Sequence, residues 1–462
     1  IFEFFVFVLI GFAISIMFSQ GVKWENIQLV SALIAAGIAV PVVIEAKQRK
    51  IYLINAKSVI VLGLIYWVLL DPLTLREGLE GFKPEDVLKA FGLIIVFLIT
   101  FQLAYLITSA SFFKKIFRKL DYGYNFNRSK LYKVIIFSVF LGFLPILIWT
   151  FQEGSLKKLI WYFTHAGRWY PWGRGRWGGW IDYMKTFLGY FRIIGIQLTY
   201  LYIFFIKKNK IFILLLLINL WMYFAGGTRS NFGAAILPAI ILYYFVSLNK
   251  KRKLVLPRLL ILGVIFLSLG QLQLYMRDAA RSQEITYIVS EEAGDVFTKS
   301  PTEYQRDDQF YRLAQYVSMV PEKIPHSGEW LIFRPLYHFI PRALWPAKPE
   351  GPTAFFEKQT NIAGVGMTTF SGSVIGSFYL AQGWLGVIII GLFYGALAKQ
   401  FDSLIEMARR SPAVLVFYSY GLIFLFVTLR GWVGIYQGWY AFIALYWLLK
   451  IVKKRTNQAY LR

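Results

Sequence analysis

Cysteine is absent from the 462-residue chain, which excludes disulfides and thiolate metal sites and leaves the redox compartment undetermined. Charge is scarce as well: charged residues make up 16% of the chain, against about 25% in an average soluble domain. A water-facing globule is therefore excluded as the main architecture. Histidine occurs only at positions 165, 326 and 338, so few side chains titrate near neutral pH. No Walker loop, His-Glu-x-x-His, Gly-x-Ser-x-Gly or dinucleotide fingerprint is present, so soluble-type nucleotide and hydrolase chemistry is unsupported. The chain begins at Ile1 rather than methionine; the first apolar run is expected to be incomplete, and no signal peptide can be read.

What the chain has is apolar surface. Hydrophobic residues make up 57% and aromatics 19%, with a mean hydropathy of +0.53. Runs long enough to cross or nearly cross a bilayer recur near 1–18, 27–44, 56–70, 87–110, 134–150, 187–206, 211–225, 231–247, 257–275, 373–398, 412–429 and 437–452. They predict an all-α polytopic membrane protein with about twelve transmembrane helices. The few charges within them, Lys89 and Arg192, stand near predicted span ends. The two halves show no matching interrupted spans of the kind transporters carry.

The net charge of +25 would suggest nucleic acid in a soluble protein, but its distribution decides otherwise. About 27 of the basic residues fall in alternate loops and the tail, among them Lys114, Lys115, Arg118, Lys119, Lys250, Lys251, Arg252, Lys253, Lys453, Lys454 and Arg455. The intervening segments are nearly neutral. The positive-inside rule makes the basic side cytoplasmic, with both termini on it, and no nucleic-acid partner is expected. Residues 1–275 then hold spans one to nine, 276–372 form a long extracytoplasmic loop, and 373–462 hold the last three spans and a basic tail.

Two outer segments stand out. In 151–186, Trp161, Trp169, Trp172, Trp177 and Trp180 interleave with Arg168, Arg174 and Arg176. This reads either as an interfacial aromatic belt with snorkelling arginines or as a basic lip over a lipid-phosphate site. In the long loop, Ser300-Pro301-Thr302-Glu303 matches a capping box. Phe310, Leu313, Ala314 and Val317 follow at helical spacing before Pro321, which predicts an amphipathic helix over about 301–320, packed on the membrane core or lying at its surface.

Arginines at the outer ends of spans carry the strongest chemical signal. Gly226-Gly227-Thr228-Arg229-Ser230 is a tight turn that places Arg229 at a helix start, a ready anion site. Arg277 and Arg281 lie four apart on one helical face. Arg342 sits in a proline-rich run, and Arg430 opens the last outer turn. Five arginines on one membrane face suit a diphosphate, because a guanidinium binds phosphate oxygens bidentately and stays charged. Each alone also reads as a headgroup anchor. His338 is the candidate general base, or a packing residue between Tyr337 and Phe339. Glu291-Glu292 and Asp307-Asp308 diverge as adjacent pairs and read as solvated surface, so no metal site is expected.

Taken in order, four elements resemble the bacterial oligosaccharide repeat-unit polymerases, the Wzy-type O-antigen polymerase family. They are Gly226-Gly227-Thr228-Arg229-Ser230; Arg277 with Arg281; Ile340-Pro341-Arg342-x-x-Trp345-Pro346-x-Lys348-Pro349; and Ser373 through Gly386 with the later Leu429-Arg430-Gly431. The resemblance covers roughly residues 210–450. Where an acidic residue is expected after the glycine of Ile375-Gly376, Ser377 stands, so no acid role is carried to that position.

The resemblance implies a metal-independent, cofactor-free glycosyltransferase of the polytopic C-type (GT-C) architecture in the bacterial inner membrane. Its donor and acceptor are undecaprenyl-diphosphate-linked oligosaccharides, presented from the membrane lipid at the periplasmic face, and a chain-length regulator protein is an implied partner. Arg277, Arg281 and His338 are the implied catalytic residues, and Thr228, Arg229, Arg342, Lys348 and Arg430 bind the diphosphate. No Asp-x-Asp occurs on a first outer loop, where a metal-dependent enzyme of this architecture wants it. The nearest alternative is an O-antigen ligase; a lipid-linked oligosaccharide transporter is the alternative from another class.

Overall fold

The computed structural model describes residues 10, 11, 14, 23–47, 52–74, 79–153, 155–164, 180–226, 229–249, 257–266, 268–270, 272, 273, 276, 309–338, 340, 344–360 and 372–454. Among them the fold is all-helical, and the only β pairing is an isolated bridge between Phe126 and Lys453. The helices used below are α1 (Trp24–Lys47), α2 (Ala56–Leu64), α3 (Pro84–Ile107), α4 (Arg128–Glu153), α5 (Leu156–Thr164), α6 (Trp180–Phe205), α7 (Lys210–Ala225), α8 (Arg229–Asn249), α9 (Gln309–Met319), α10 (Arg334–Tyr337), α11 (Pro352–Thr360), α12 (Ser373–Asp402), α13 (Pro412–Thr428) and α14 (Val433–Ile451). Among the described residues six helical segments are long and apolar enough to cross a bilayer: Glu25–Glu45, Pro84–Ile107, Arg128–Gln152, Phe187–Phe205, Asn231–Leu248 and Ser373–Arg410. Shorter apolar helices include Ala56–Leu69, Lys210–Ala225, Pro412–Thr428 and Gly438–Ile451. The expected first span lies almost wholly outside the described residues.

The chain divides into two compact units. Unit one holds Ile1–Ile116, Asp307–Leu404 and Phe424–Gln437; unit two holds Phe117–Arg306, Ile405–Ile423 and Gly438–Arg462.

Unit one is built on the pairing of α3 with α12. Gly391 and Gly395 lie one turn apart on α12 and face the carbonyls of Phe97 and Phe101 and the Thr100 side chain so closely that a Cβ at either position would collide with them. Small residues at this spacing let two helix backbones meet, which is how helices associate where water supplies no driving force. At one end of this pair the charged ends of several helices gather. The Asp402 carboxylate accepts hydrogen bonds from Ala56 N (2.6 Å), Lys57 N (3.3 Å) and Tyr105 Oη (2.9 Å), so an anion fills the first turn of α2. Lys57 also pairs with Glu45 at 3.4 Å, and Lys399 lies over the Tyr105 ring.

The other end of α12 is interrupted. Gln382 and Gly383 leave helical geometry, Gly383 at φ 62° and ψ −143°, a conformation essentially confined to glycine. Leu380 and Ala381 point their carbonyls out of the helical ladder there, and Ser327 N (2.9 Å) and Gly328 N (3.0 Å) donate to them. From Trp384 to Asp402 the helix runs about 28 Å at 1.5 Å per residue, close to the thickness of a bilayer's hydrocarbon core. All nine residues from Ser373 to Ala381 are buried. This upper piece is the core of a cap made by the described part of the long loop.

Helix α9 seals that core. It buries Phe310, Leu313, Ala314, Tyr316 and Val317 against α3 and α12, with Phe310 and Phe91 ring centroids 4.4 Å apart. Of the two placements open to this amphipathic segment, packing against spans is the one observed; residues 301–308, with the capping box, lie outside the described residues. Tyr316 stands over Gly372 and Gly376 and meets Phe356 of α11 edge-on.

Unit two pairs α4 with α6 by the same device. Gly142 abuts the backbone of Arg192, and Gly195 abuts Val139. Ile146, Trp149 and Met222 form a buried cluster with Phe143, Leu159 and Phe163. Tyr122 Oη donates to Leu449 O, Asn127 N to Val452 O and Ser411 Oγ to Leu120 O, and Arg410 pairs with Asp121, which ties the starts and ends of four segments together. Arg192 stands five residues from the Phe187 end of the span Phe187–Phe205, near the span end as its place in the apolar run suggests, while helix α6 itself continues back to Trp180.

Replacing Gly395 with valine is expected to destabilise the protein by more than about 3 kcal/mol, because backbone rather than a movable side chain blocks the new methyls. Gly189→Ala on α6, where nothing lies within reach of a new Cβ, is expected to be neutral or stabilising by about 0.5–1 kcal/mol. Thermal unfolding of the two variants in one detergent separates them.

Candidate functional site

The cap's chemistry is organised by a buried ion pair. Glu329 and Arg334 are both almost fully buried, and one guanidinium nitrogen of Arg334 (Nη1) donates to both carboxylate oxygens at 2.7 and 2.8 Å. Tyr337 Oη donates to the same carboxylate at 2.5 Å, and Arg334 Nη2 donates to Glu350 O at 3.1 Å. Gly351, at φ 99°, lets the chain pass against the guanidinium, where any Cβ would clash. Such a pair adds little net stability, but removing one partner strands the other, at a cost of about 3–5 kcal/mol.

This knot fixes the one-turn helix α10 and the segment leading away from it. His338 N donates to Arg334 O at 2.8 Å. Lys348, 8% exposed, then turns back and donates its ammonium to the carbonyls of His338 (2.6 Å) and Ile340 (2.8 Å). A cation thus closes the C-terminal end of α10, where carbonyls have no helical partner. The described part of the Ile340–Pro349 run is folded around Lys348, with Trp345 edge-on to Tyr337.

His338 is half-buried, and its pKa is pushed down to about 4, by burial first and then by the neighbouring charges of Lys348 and Arg334. Its imidazole is neutral at pH 7 and able to accept a proton. It is nevertheless a weak base, because the proton would arrive beside two cations.

Arg430 lies in the same unit, in the turn between α13 and α14. Its N–H donates to Val427 O (3.2 Å), and its guanidinium sits 5.6 Å from the ring of Trp67. Trp67 belongs to a π-helical turn, Ile65–Leu69, that extends α2, and its Nε1 donates to Phe426 O at 3.0 Å. Leu429 O accepts from Val374 N, so this turn is tied to the upper piece of α12. Ser377, at the position where the resemblance expects an acid, is buried and donates to Ser373 O at 2.9 Å.

The structure thus joins His338 and Lys348 directly and places Arg430 in the same unit. Arg229 opens α8 in unit two, at the helix start expected of it. Thr228, Arg277, Arg281 and Arg342 lie outside the described residues, as do Glu291, Glu292, Asp307 and Asp308. Among the described residues no group of three His, Cys, Asp or Glu side chains could hold a metal ion.

Sequence reasoning missed Glu329, Arg334 and His326. Glu329 and Arg334 are five apart in an irregular segment, a spacing without helical or strand meaning. His326 reads as a loop residue, yet its ring lies against Gly383 at the helix break and meets Tyr379 edge-on. Only the break, which Gly383 alone hardly announces, places it there.

A match to the domain of unknown function DUF8712 covers residues 181–434, more than half of the chain. The chain belongs to the DUF8712 family. The DUF8712 region begins with α6 and ends just beyond the Arg430 turn, so it contains every residue singled out above as catalytic or diphosphate-binding. It leaves out α1 to α5, the part of the chain to which the motifs contribute nothing. No curated protein and no solved structure matches the chain.

Within this DUF8712 cap, Glu329→Gln is expected to lower stability by about 3 kcal/mol, since Arg334 would keep its charge and lose its counter-ion; the melting temperature in detergent checks it. The low pKa of His338 has a pH signature. An unfolded histidine takes up a proton below about pH 6.5, whereas the folded one waits until about pH 4. Between those values the unfolded state binds more protons, so stability falls with falling pH. His338→Gln is expected to remove that part of the decline, visible as a shallower fall in melting temperature from pH 6.5 to 4 than the wild type shows.

Proposed function

We propose that this protein polymerises undecaprenyl-diphosphate-linked oligosaccharide repeat units, by metal-independent and inverting glycosyl transfer at the periplasmic face of a bacterial inner membrane. The observation that carries the reading is the run from Tyr337 to Pro349. Its histidine and lysine are bound to one another at the base of a cap seated on the span α12, and the Arg430 turn is tied to the same piece of that helix. The reading takes about twelve spans in a C-type glycosyltransferase arrangement, with the termini and the basic helix ends cytoplasmic.

The acceptor hydroxyl oxygen attacks the anomeric carbon of the donor unit, the bond from that carbon to the diphosphate breaks, and the hydroxyl proton passes to His338. Undecaprenyl diphosphate leaves carrying the bonding pair, and the reading assigns stabilisation of its charge to the arginines that the resemblance implies, Arg229, Arg277, Arg281, Arg342 and Arg430. The weak basicity of His338 fits this order of events. A diphosphate arriving near Lys348 and Arg334 offsets the two charges that hold the imidazole low, so the base gains strength when donor is bound. Donor and acceptor are both lipid-linked oligosaccharides, and a chain-length regulator is the protein partner the reading implies.

The broken helix α12 favours a second reading, a transporter of lipid-linked oligosaccharide, because transporters place their substrates at interrupted spans. The position of the break speaks against it. Transporter sites lie near mid-bilayer, whereas this break lies about one hydrocarbon thickness from the Asp402 end and is filled by backbone donors from the cap. An O-antigen ligase shares the donor chemistry and differs only in its acceptor.

Incubation of the purified protein with a lipid-linked repeat unit in the presence of chelator is expected to release free undecaprenyl diphosphate, read by mass spectrometry. Arg430→Ala is expected to slow release by about 100-fold or more, on the scale of losing one transition-state charge contact. Absence of release from folded protein with matched substrate removes the glycosyltransferase reading; release that chelator abolishes removes the metal-free mechanism.

A further inference from the structure

Arg192 is a cation in an apolar place. It lies inside the span Phe187–Phe205, five residues from the Phe187 end, or about 7.5 Å along the helix. Gly142 of α4 presses on its backbone, so the side chain must leave the α4–α6 seam sideways. It reaches α7, where the guanidinium stacks 4.1 Å from the centre of the Tyr223 ring. Gln273 holds that stretch of α7 in place by donating to the carbonyls of Tyr223 and Phe224.

The ring covers one face of the guanidinium and satisfies none of its N–H groups. Arg192 Nε is buried and has no hydrogen-bond partner among the described residues, and no carboxylate among them pairs with this arginine. Lys185 lies seven residues earlier on α6, on the same helical face and just outside the span, and is itself 4% exposed. Arg192 itself is partly buried, with its Nε fully enclosed.

We propose that Arg192 forms a binding site for the phosphate group of a lipid. A planar guanidinium with open N–H groups matches phosphate oxygens. Its place inside an apolar span favours an anion carried on a hydrophobic tail. A polyprenyl diphosphate and a membrane phospholipid share this chemistry. The Tyr223 ring keeps the guanidinium flat and oriented while the site waits. The site lies wholly in unit two and involves none of the residues assigned above. It does not rest on the polymerisation reading and stands if that reading fails.

The test is binding by the full chain purified in detergent, followed by native mass spectrometry with three probes: undecaprenyl diphosphate, undecaprenol, which lacks phosphate, and phosphatidylglycerol. Wild type is expected to hold undecaprenyl diphosphate at least tenfold more tightly than undecaprenol. Arg192→Gln is expected to lose at least tenfold of that affinity and Arg192→Lys less, while Arg409→Gln, an exposed position, loses none. Phosphatidylglycerol binding as tightly as the diphosphate, with the same loss in Arg192→Gln, supports the site and identifies its lipid as a bulk phospholipid. Equal affinity of wild type for the diphosphate and the alcohol, or undiminished diphosphate binding by folded Arg192→Gln, overturns the proposal. Should Arg192→Gln not fold, the wild-type comparison of diphosphate with alcohol still decides.

Discussion

The break at Gln382–Gly383 is the constraint on which unit one depends. An uninterrupted α12 of thirty residues would be far longer than a bilayer core is thick, and it would satisfy its own carbonyls throughout. Breaking it at a left-handed glycine turns the Leu380 and Ala381 carbonyls outward, and a polar backbone group at a membrane edge must find a donor. Ser327 and Gly328 supply one each, which docks the loop onto the helix. Everything above the break then has a floor: the nine buried residues from Ser373 to Ala381, α9 packed across them, and the Glu329–Arg334 knot beside them.

Much of this was legible in the chain. Apolar runs with basic flanks located the helices, because a span's length and hydrophobicity are written in consecutive residues. The face of α9 was legible too, since Phe310, Leu313, Ala314 and Val317 recur at helical spacing. The cap's internal order was not. Glu329 meets Arg334, Lys348 meets the carbonyls of His338 and Ile340, and Ser327 meets Leu380, all through irregular backbone where no periodicity links the partners. Arg192 stands near the end of its apolar run as read, while the helix itself continues beyond the run to Trp180, an extension that hydropathy does not mark.

The candidate site changed meaning accordingly. Lys348 reads from sequence as a phosphate ligand, but its ammonium is engaged with two backbone carbonyls, so its contribution to an anion is its field rather than a vacant hand. His338 reads as a base near its ordinary pKa, but burial and two neighbouring cations make it a weak one until an anion enters. Both shifts have one cause: the site has been desolvated around positive charge. Such an arrangement is unfavourable unless an anion offsets it.

The most direct test of the account is the length distribution of the product when the purified protein is given only a lipid-linked repeat unit, so that the same molecule must serve as donor and acceptor. Polymerisation predicts a ladder of lipid-linked oligosaccharides rising by one repeat unit per step. Persistence of the single unit with folded, lipid-binding protein, or transfer only when a non-lipid-diphosphate acceptor is added, would contradict it.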